Sequence, residues 1–231
     1  MKIAVVNFSG NVGKSTVARH VLAPRMNNAR VIPVETINSD GTEDEAFRGR
    51  EFGDLWEQMS LIDDAVVDVG ASNIEDFVNL MGKYIGSHED FDYFVIPTVP
   101  KKKQMKDTIS TIDALVEVGV PAKKIRVVFN MVGDDEQPER IFGGLFEYHS
   151  AEGLFTLTPE AVLHSNDIYD LIKGKEQTIA EVLADPTDYK AKIKETEDKN
   201  AKLGFARCLS IKMLAKGVSR EMDAVFKALL N

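Results

Sequence analysis

A chain of 231 residues with 44% apolar and 28% charged side chains is one generous globular domain, or one with a helical extension. A single cysteine, Cys208, excludes an internal disulfide framework and fits a reducing cytoplasm. No run of eighteen apolar residues exists to span a membrane, and the apolar start MKIAVVNF is too short for a signal peptide.

Net charge is −9, which argues against a nucleic-acid coat held by charge alone. The charge is uneven. Ten basic and six acidic residues fall between Thr187 and Asn231, so the rest of the chain carries 18 and 31. A basic tail on an acidic body permits a local contact with phosphates or an acidic partner, although a solvated lysine-rich helix surface has the same composition.

In chain order, Lys2–Asn7 (KIAVVN) predicts a buried strand, Ser9–Gly13 a turn, and Lys14–Leu22 a helix with Val17, Ala18 and Val21 at helical spacing. Ala29–Glu35 predicts a second strand, and Pro33 puts it at a sheet edge or an irregularity. Glu43–Ile62 predicts a helix whose stripe of Phe52, Leu55, Trp56 and Met59 faces the core. Asp64–Val69 predicts a third strand, Ile74–Ile85 a helix, and Tyr93–Pro97 a fourth strand followed by a lysine-rich loop, Lys101 to Lys106. Asp107–Glu117 predicts a helix with Ile109, Ile112, Leu115 and Val116 inward. Lys124–Val132 predicts a fifth strand, Asp134–Arg140 a loop and Gly153–Leu157 a short sixth strand. Helices are expected at Asp167–Ile172, Thr178–Leu183, Tyr189–Leu203 and Phe205–Leu230.

Strands and helices that alternate over about 160 residues predict an α/β fold, doubly wound on a mostly parallel sheet. The helices collect at the end. Residues 1–186 are therefore expected to form the α/β domain, and 187–231 a C-terminal helical extension of it.

The strongest chemical signal is the strand–GNVGKST–helix at Gly10, Asn11, Val12, Gly13, Lys14, Ser15 and Thr16. A glycine-rich turn lets backbone N–H groups converge on a polyphosphate, and the helix that follows adds the positive end of its dipole. Lys14 is placed to reach the β and γ oxygens, and the Ser15 hydroxyl to hold Mg²⁺. The strict phosphate-loop pattern needs glycine where Phe8 stands.

The stretch from Asn7 to Thr16 resembles the deviant Walker A loop of the ParA/MinD family, which lacks that first glycine too. The likeness runs from Met1 to about Leu183, and within the family it is nearest to the StbB-type plasmid stability proteins. Two departures stand out. The family's signature lysine, which reaches a partner's phosphates in a nucleotide-sandwiched dimer, falls on Ser9, and Asn11 replaces the second glycine.

Asp68, ending the apolar run VVDV, resembles the Walker B aspartate that holds magnesium through water, with Gly70, Ala71 and Ser72 following the γ-phosphate. The resemblance implies a water-positioning carboxylate near Ile37. Glu35 and Asp40 stand nearby; Asp40, in the polar loop, is preferred, though Asp40 also suits a plain turn before Gly41. Asn130 resembles the family's adenine reader, its amide donating to and accepting from the base, and turn formation is its other reading. Pro159, within Thr158-Pro159-Glu160, resembles the second wall of the base pocket. His20, His88, His149 and His164 show no metal spacing.

The resemblance thus implies a bacterial, cytoplasmic ATP/ADP and Mg²⁺ switch for plasmid stability or DNA segregation. It implies weak ATPase activity with Lys14, Asp40 and Asp68 catalytic, a plasmid-encoded DNA-binding adaptor protein, and a nucleotide-dependent homodimer. Lys212, Lys216, Arg220 and Lys227 offer weak nonspecific DNA contact. A non-hydrolysing scaffold, and further behind a small-molecule kinase or ligase, are the alternatives.

Overall fold

The computed structural model describes residues 1–34, 45–173 and 177–230, without the side chains of 45–50 and 173. Six strands, β1 (Lys2–Val5), β2 (Arg30–Val34), β3 (Ala65–Val69), β4 (Tyr93–Thr98), β5 (Ile125–Val132) and β6 (Val162–His164), pair in parallel in the order β2-β3-β1-β4-β5-β6. Central strands of such a sheet are covered on both faces, and β3 is accordingly buried at all five positions. Pro33 lacks an N–H, and β2 sits at the edge where that donor is dispensable.

The chain divides into two compact units, Met1–Ser165 with Val225–Asn231, and Asn166–Ala224. In the first, α1 (Lys14–Thr16) runs on into a π-helical stretch, Val17–Leu22. It is followed by α2 (Glu45–Ser60), α3 (Ile74–Lys83), α4 (Lys102–Glu117), α5 (Pro138–Ile141) and α6 (Gly143–Glu152). The predicted α2 stripe is core: Phe52, Leu55 and Met59 are buried, and Trp56 stacks on Phe52 while its indole N–H donates to Asp90 Oδ2 at 2.6 Å. Phe91 and Phe94 continue that aromatic cluster, fully buried, each worth about 2–3 kcal/mol by area removed from water.

The second unit holds α7 (Ile168–Lys173), α8 (Ile179–Ala184), α9 (Tyr189–Glu195) and most of α10 (Lys199–Leu230). Thr178 and Glu181 form a reciprocal capping box at the start of α8, and the Asp188 carboxylate caps α9 by accepting from Lys190 and Ala191 N–H. Among the described residues no helix is long and apolar enough to cross a membrane.

Five expectations are corrected. The stretch expected as a loop over Asp134–Arg140 ends in α5, and the break between the last two helices falls at residues 196–198, with Gly204 inside α10. The sixth strand is Val162–His164 rather than Gly153–Leu157; of the latter, Thr156 makes a single bridge to Arg126, and its segment carries Phe155 into the core instead. The lysine run is no loop, because α4 begins at Lys102 with Lys101 as its N-cap. Residues Gly143–Glu152, for which no element was expected, form α6, which buries Leu145.

Candidate phosphate-binding site

In the sheet order, the chain's path reverses between β3 and β4, the two neighbours of β1. Ligands of open parallel sheets bind beyond the strands' carboxyl ends at such a switch point. Residues 6–13 leave β1 there. The register pairs Val5 with Asp68 on one side and with Val95 on the other, so Asp68 is level with the last residue of β1.

The loop is tied down from two directions. At its start, buried Asn7 donates through Nδ2 to Pro97 O and Thr108 Oγ1, both at 2.9 Å, and accepts at Oδ1 from Ser9 N–H at 2.7 Å. Thr108 Oγ1 also donates to Thr98 Oγ1 at 2.9 Å, and Phe8 N–H donates to Thr111 Oγ1 at 3.0 Å. At the loop's end, Asn130 Nδ2 donates to Val12 O at 2.9 Å. Asn7, Thr98, Thr108 and Thr111 escaped sequence reasoning. Their only signal is polar residues at helical and strand positions that the sheet and α4 bury.

Between these ties the backbone takes the turn an anion cradle needs. Gly13 has φ 90, and Asn11 has φ 56. Asparagine is among the few side chains that tolerate this left-handed region, which explains how it stands in for the glycine expected there. Among the described residues, the amides of Gly10, Asn11, Val12, Gly13 and Lys14 meet no acceptor of the protein. Convergent N–H groups of this kind fit phosphate oxygens.

Lys14 is only 8% exposed, and its ammonium donates to Asn7 O at 3.0 Å and Ser9 O at 2.8 Å. Burial pushes it down from 10.5 to about 8, against the pull of the Asp68 carboxylate, which raises it. Asp68 is itself buried, Ser15 is exposed at the head of α1, and a Cβ on Gly10 would stand 4.0 Å from Ala71 Cβ in the turn after β3. The fold thus gathers residues 10–16, Asp68, Gly70 to Ser72 and Asn130. Ser9 is 5% exposed, so nothing from that position projects outward.

Other expected site residues fall elsewhere. Asp40, with Glu35 and Ile37, lies outside the described residues. Pro159 precedes β6 instead of following it; the residue that follows at the carboxyl end is Ser165, whose N–H donates to Val132 O at 2.9 Å. In the tail, Lys212 donates its ammonium to Asp185 O and lies 6.0 Å from the Tyr189 ring centroid, while Lys216, Arg220 and Lys227 are exposed.

The lowered Lys14 has a measurable consequence. Unliganded, it is mostly neutral above pH 8, and a phosphate beside it restores the proton. Polyphosphate binding in mild base is expected to take up a proton in part, and affinity to fall as pH rises through and above about 8. Calorimetry in buffers of different ionisation enthalpy reads the uptake; a flat affinity from pH 7 to 9.5 would contradict it.

No protein-family model matches the chain, and no curated relative does. Among solved structures, apo McdA of Cyanothece is 12% identical over 99% of this chain and 98% of its own, with a TM-score of 0.58. A Borrelia burgdorferi B31 protein assigned to plasmid partition and bound to AMPPNP is 12% identical over 92% and 98% (TM-score 0.44). The ParA of pNOB8 is 16% identical over 96% and 98% (TM-score 0.43). With its six parallel strands, flanking helices and C-terminal helix, the chain has the fold of apo McdA, a doubly wound sheet of the P-loop NTPase type.

Proposed function

We propose that this protein is an ATP-dependent switch of the ParA/MinD family, of the StbB type, serving plasmid stability or DNA segregation. The observation that carries the reading is the loop of residues 10–16. It offers amides without internal acceptors and a buried lysine that feels the Asp68 carboxylate, where the chain leaves β1 at the sheet's switch point. These donors fit the phosphates of ATP or ADP. Ser15 and, through water, Asp68 would hold Mg²⁺, which supplies neutralisation of the phosphate charge. Residues 1–186 act as the nucleotide-binding domain and 187–231 as its helical extension. Nucleotide binding acts on Gly70 to Ser72, the turn after β3, and so changes the surface shown to partners. Those partners are a plasmid-encoded DNA-binding adaptor protein and, in the nucleotide-bound state, a second copy of the chain, in the bacterial cytoplasm. Lys216, Arg220 and Lys227 add weak nonspecific DNA contact whose affinity falls steeply with salt.

The burial of Ser9 favours a second reading, a protein that holds nucleotide without turning it over. No cation stands where the family's signature lysine would cross to a partner. One assay separates the two. For the switch, Mg²⁺-dependent ATP turnover is expected in the intact chain and is expected to fall at least about a hundredfold in Asp68→Asn, which keeps shape and removes charge. Tight ATP binding with no turnover, alone or with adaptor and DNA, would leave the holder.

A further inference from the structure

Resting on the phosphate-loop reading, we infer that Asn130 is a positioning residue of the phosphate loop: it fixes the backbone at Val12 and Gly13 in its anion-receiving form, and acts on every polyphosphate whatever base it carries.

The side chain is 5% exposed and its amide is engaged at both ends. Nδ2 donates to Val12 O at 2.9 Å, and Oδ1 accepts from Met131 N–H at 2.9 Å. A carbonyl accepts only from nitrogen and a backbone N–H donates only to oxygen, so the two contacts together fix which way the amide faces. The backbone is bent to make this possible. The β5–β6 register shifts between Asn130 and Val132, leaving Met131 as the extra residue of a bulge with φ 57. Methionine has no side-chain means of relieving that conformation, and its side chain is about half exposed. Bulges next to functional sites re-aim a side chain, and strain of this kind persists where the surroundings enforce it. Here the bulge presents Met131 N–H to Asn130 Oδ1.

Across the gap, Gly13 completes the fit. A Cβ there would stand 2.2 Å from Asn130 Nδ2, so the amide occupies the space that any other residue would fill. Val12 O accepts from Asn130, and in a trans peptide the N–H of Gly13 points the opposite way, where it meets no acceptor among the described residues. A loop held in this form before ligand arrives spares the ligand the cost of ordering it.

The test compares ATP, GTP and inorganic tripolyphosphate on the intact chain and on Asn130→Ala and Asn130→Asp, with thermal unfolding of each. Asn130→Asp keeps the shape but sets a carboxylate oxygen against Val12 O, and it carries the test if the alanine variant melts below assay temperature. Expected is a loss of about five- to tenfold for Asn130→Ala, more for Asn130→Asp, by the same factor for all three ligands, with the ATP-to-GTP ratio unchanged. Tripolyphosphate affinity left intact while ATP affinity falls, or a collapsed ATP-to-GTP ratio, would overturn the proposal and return Asn130 to the base. Unchanged affinity for all three would overturn it too. An intact chain that binds none of them brings down the phosphate-loop reading itself, a different failure from one seen only in the variants.

Discussion

Lys14→Ala is expected to lose ATP and tripolyphosphate binding by at least about a hundredfold while the unliganded chain melts no lower than before. The binding loss follows from the two or three charge-assisted contacts a loop lysine makes with phosphate, each worth roughly 1.5–3 kcal/mol. The stability result is less obvious. A buried ammonium pushed down from 10.5 to about 8 is about 3 kcal/mol less comfortable charged than it would be in solvent. Removing it ends that penalty. It also takes a donor from Asn7 O and Ser9 O, at about 1 kcal/mol each, so the two effects nearly cancel. Their pH dependence separates them. The folded value lies below the unfolded one, so the penalty is fully present below about pH 8 and fades as pH rises toward 10.5. The variant's advantage in melting temperature is therefore largest near neutral pH and shrinks in base. A variant that binds ATP within tenfold of the parent, or unfolds well below it at pH 7, would show that Lys14 is a structural cation.

Much of this site was legible because its main features are backbone features with sequence signatures. The apolar run ahead of Gly10, the glycines and the helix start at Lys14 announce strand, turn and helix, and the structure places all three. Pro33 left an edge or an irregularity open for β2 for the same kind of reason, a missing donor, and the sheet takes the edge. The failures are where polar residues are buried. On α4 the apolar pattern puts Ile109, Ile112, Leu115 and Val116 inward, and all four pack into or against the core, but Thr108 and Thr111 are buried beside them. The helix is turned so that two threonine hydroxyls reach Asn7 and Phe8, and no count of apolar residues contains that instruction. The sixth strand failed differently. GLFTL and AVLHS are equally short apolar patches, and only pairing with β5 through Phe129, Asn130 and Val132 selects the second. Moving the strand moved Pro159 from behind it to ahead of it. In α6 two leading glycines and a single buried residue, Leu145, leave no amphipathic stripe to read.

Gly13→Ala is expected to be the most damaging glycine-to-alanine change among the described glycines compared, lowering stability by about 3 kcal/mol, or about 6–12 °C in Tm for a chain of this length, and removing polyphosphate binding. Two costs add. Alanine at φ 90 is strained by about 1–2 kcal/mol wherever it occurs. Its methyl also arrives 2.2 Å from Asn130 Nδ2, closer than packed atoms allow, so the amide must swing away and Val12 O loses its donor. Gly10 is the control on the same loop: its added methyl would meet only Ala71 Cβ at an ordinary 4.0 Å, and Gly10→Ala is expected to stay within about 0.5 kcal/mol of the parent. The two costs at Gly13 come apart in a double variant. With Asn130→Ala already in place there is no amide to strike, and only the backbone strain remains, so Gly13→Ala should destabilise that background by about half as much as it does the parent. Calorimetric unfolding of the four proteins measures the coupling. Equal losses in both backgrounds would mean that the methyl never meets Asn130, and that the loop is held in solution by Asn7 and the α4 threonines alone.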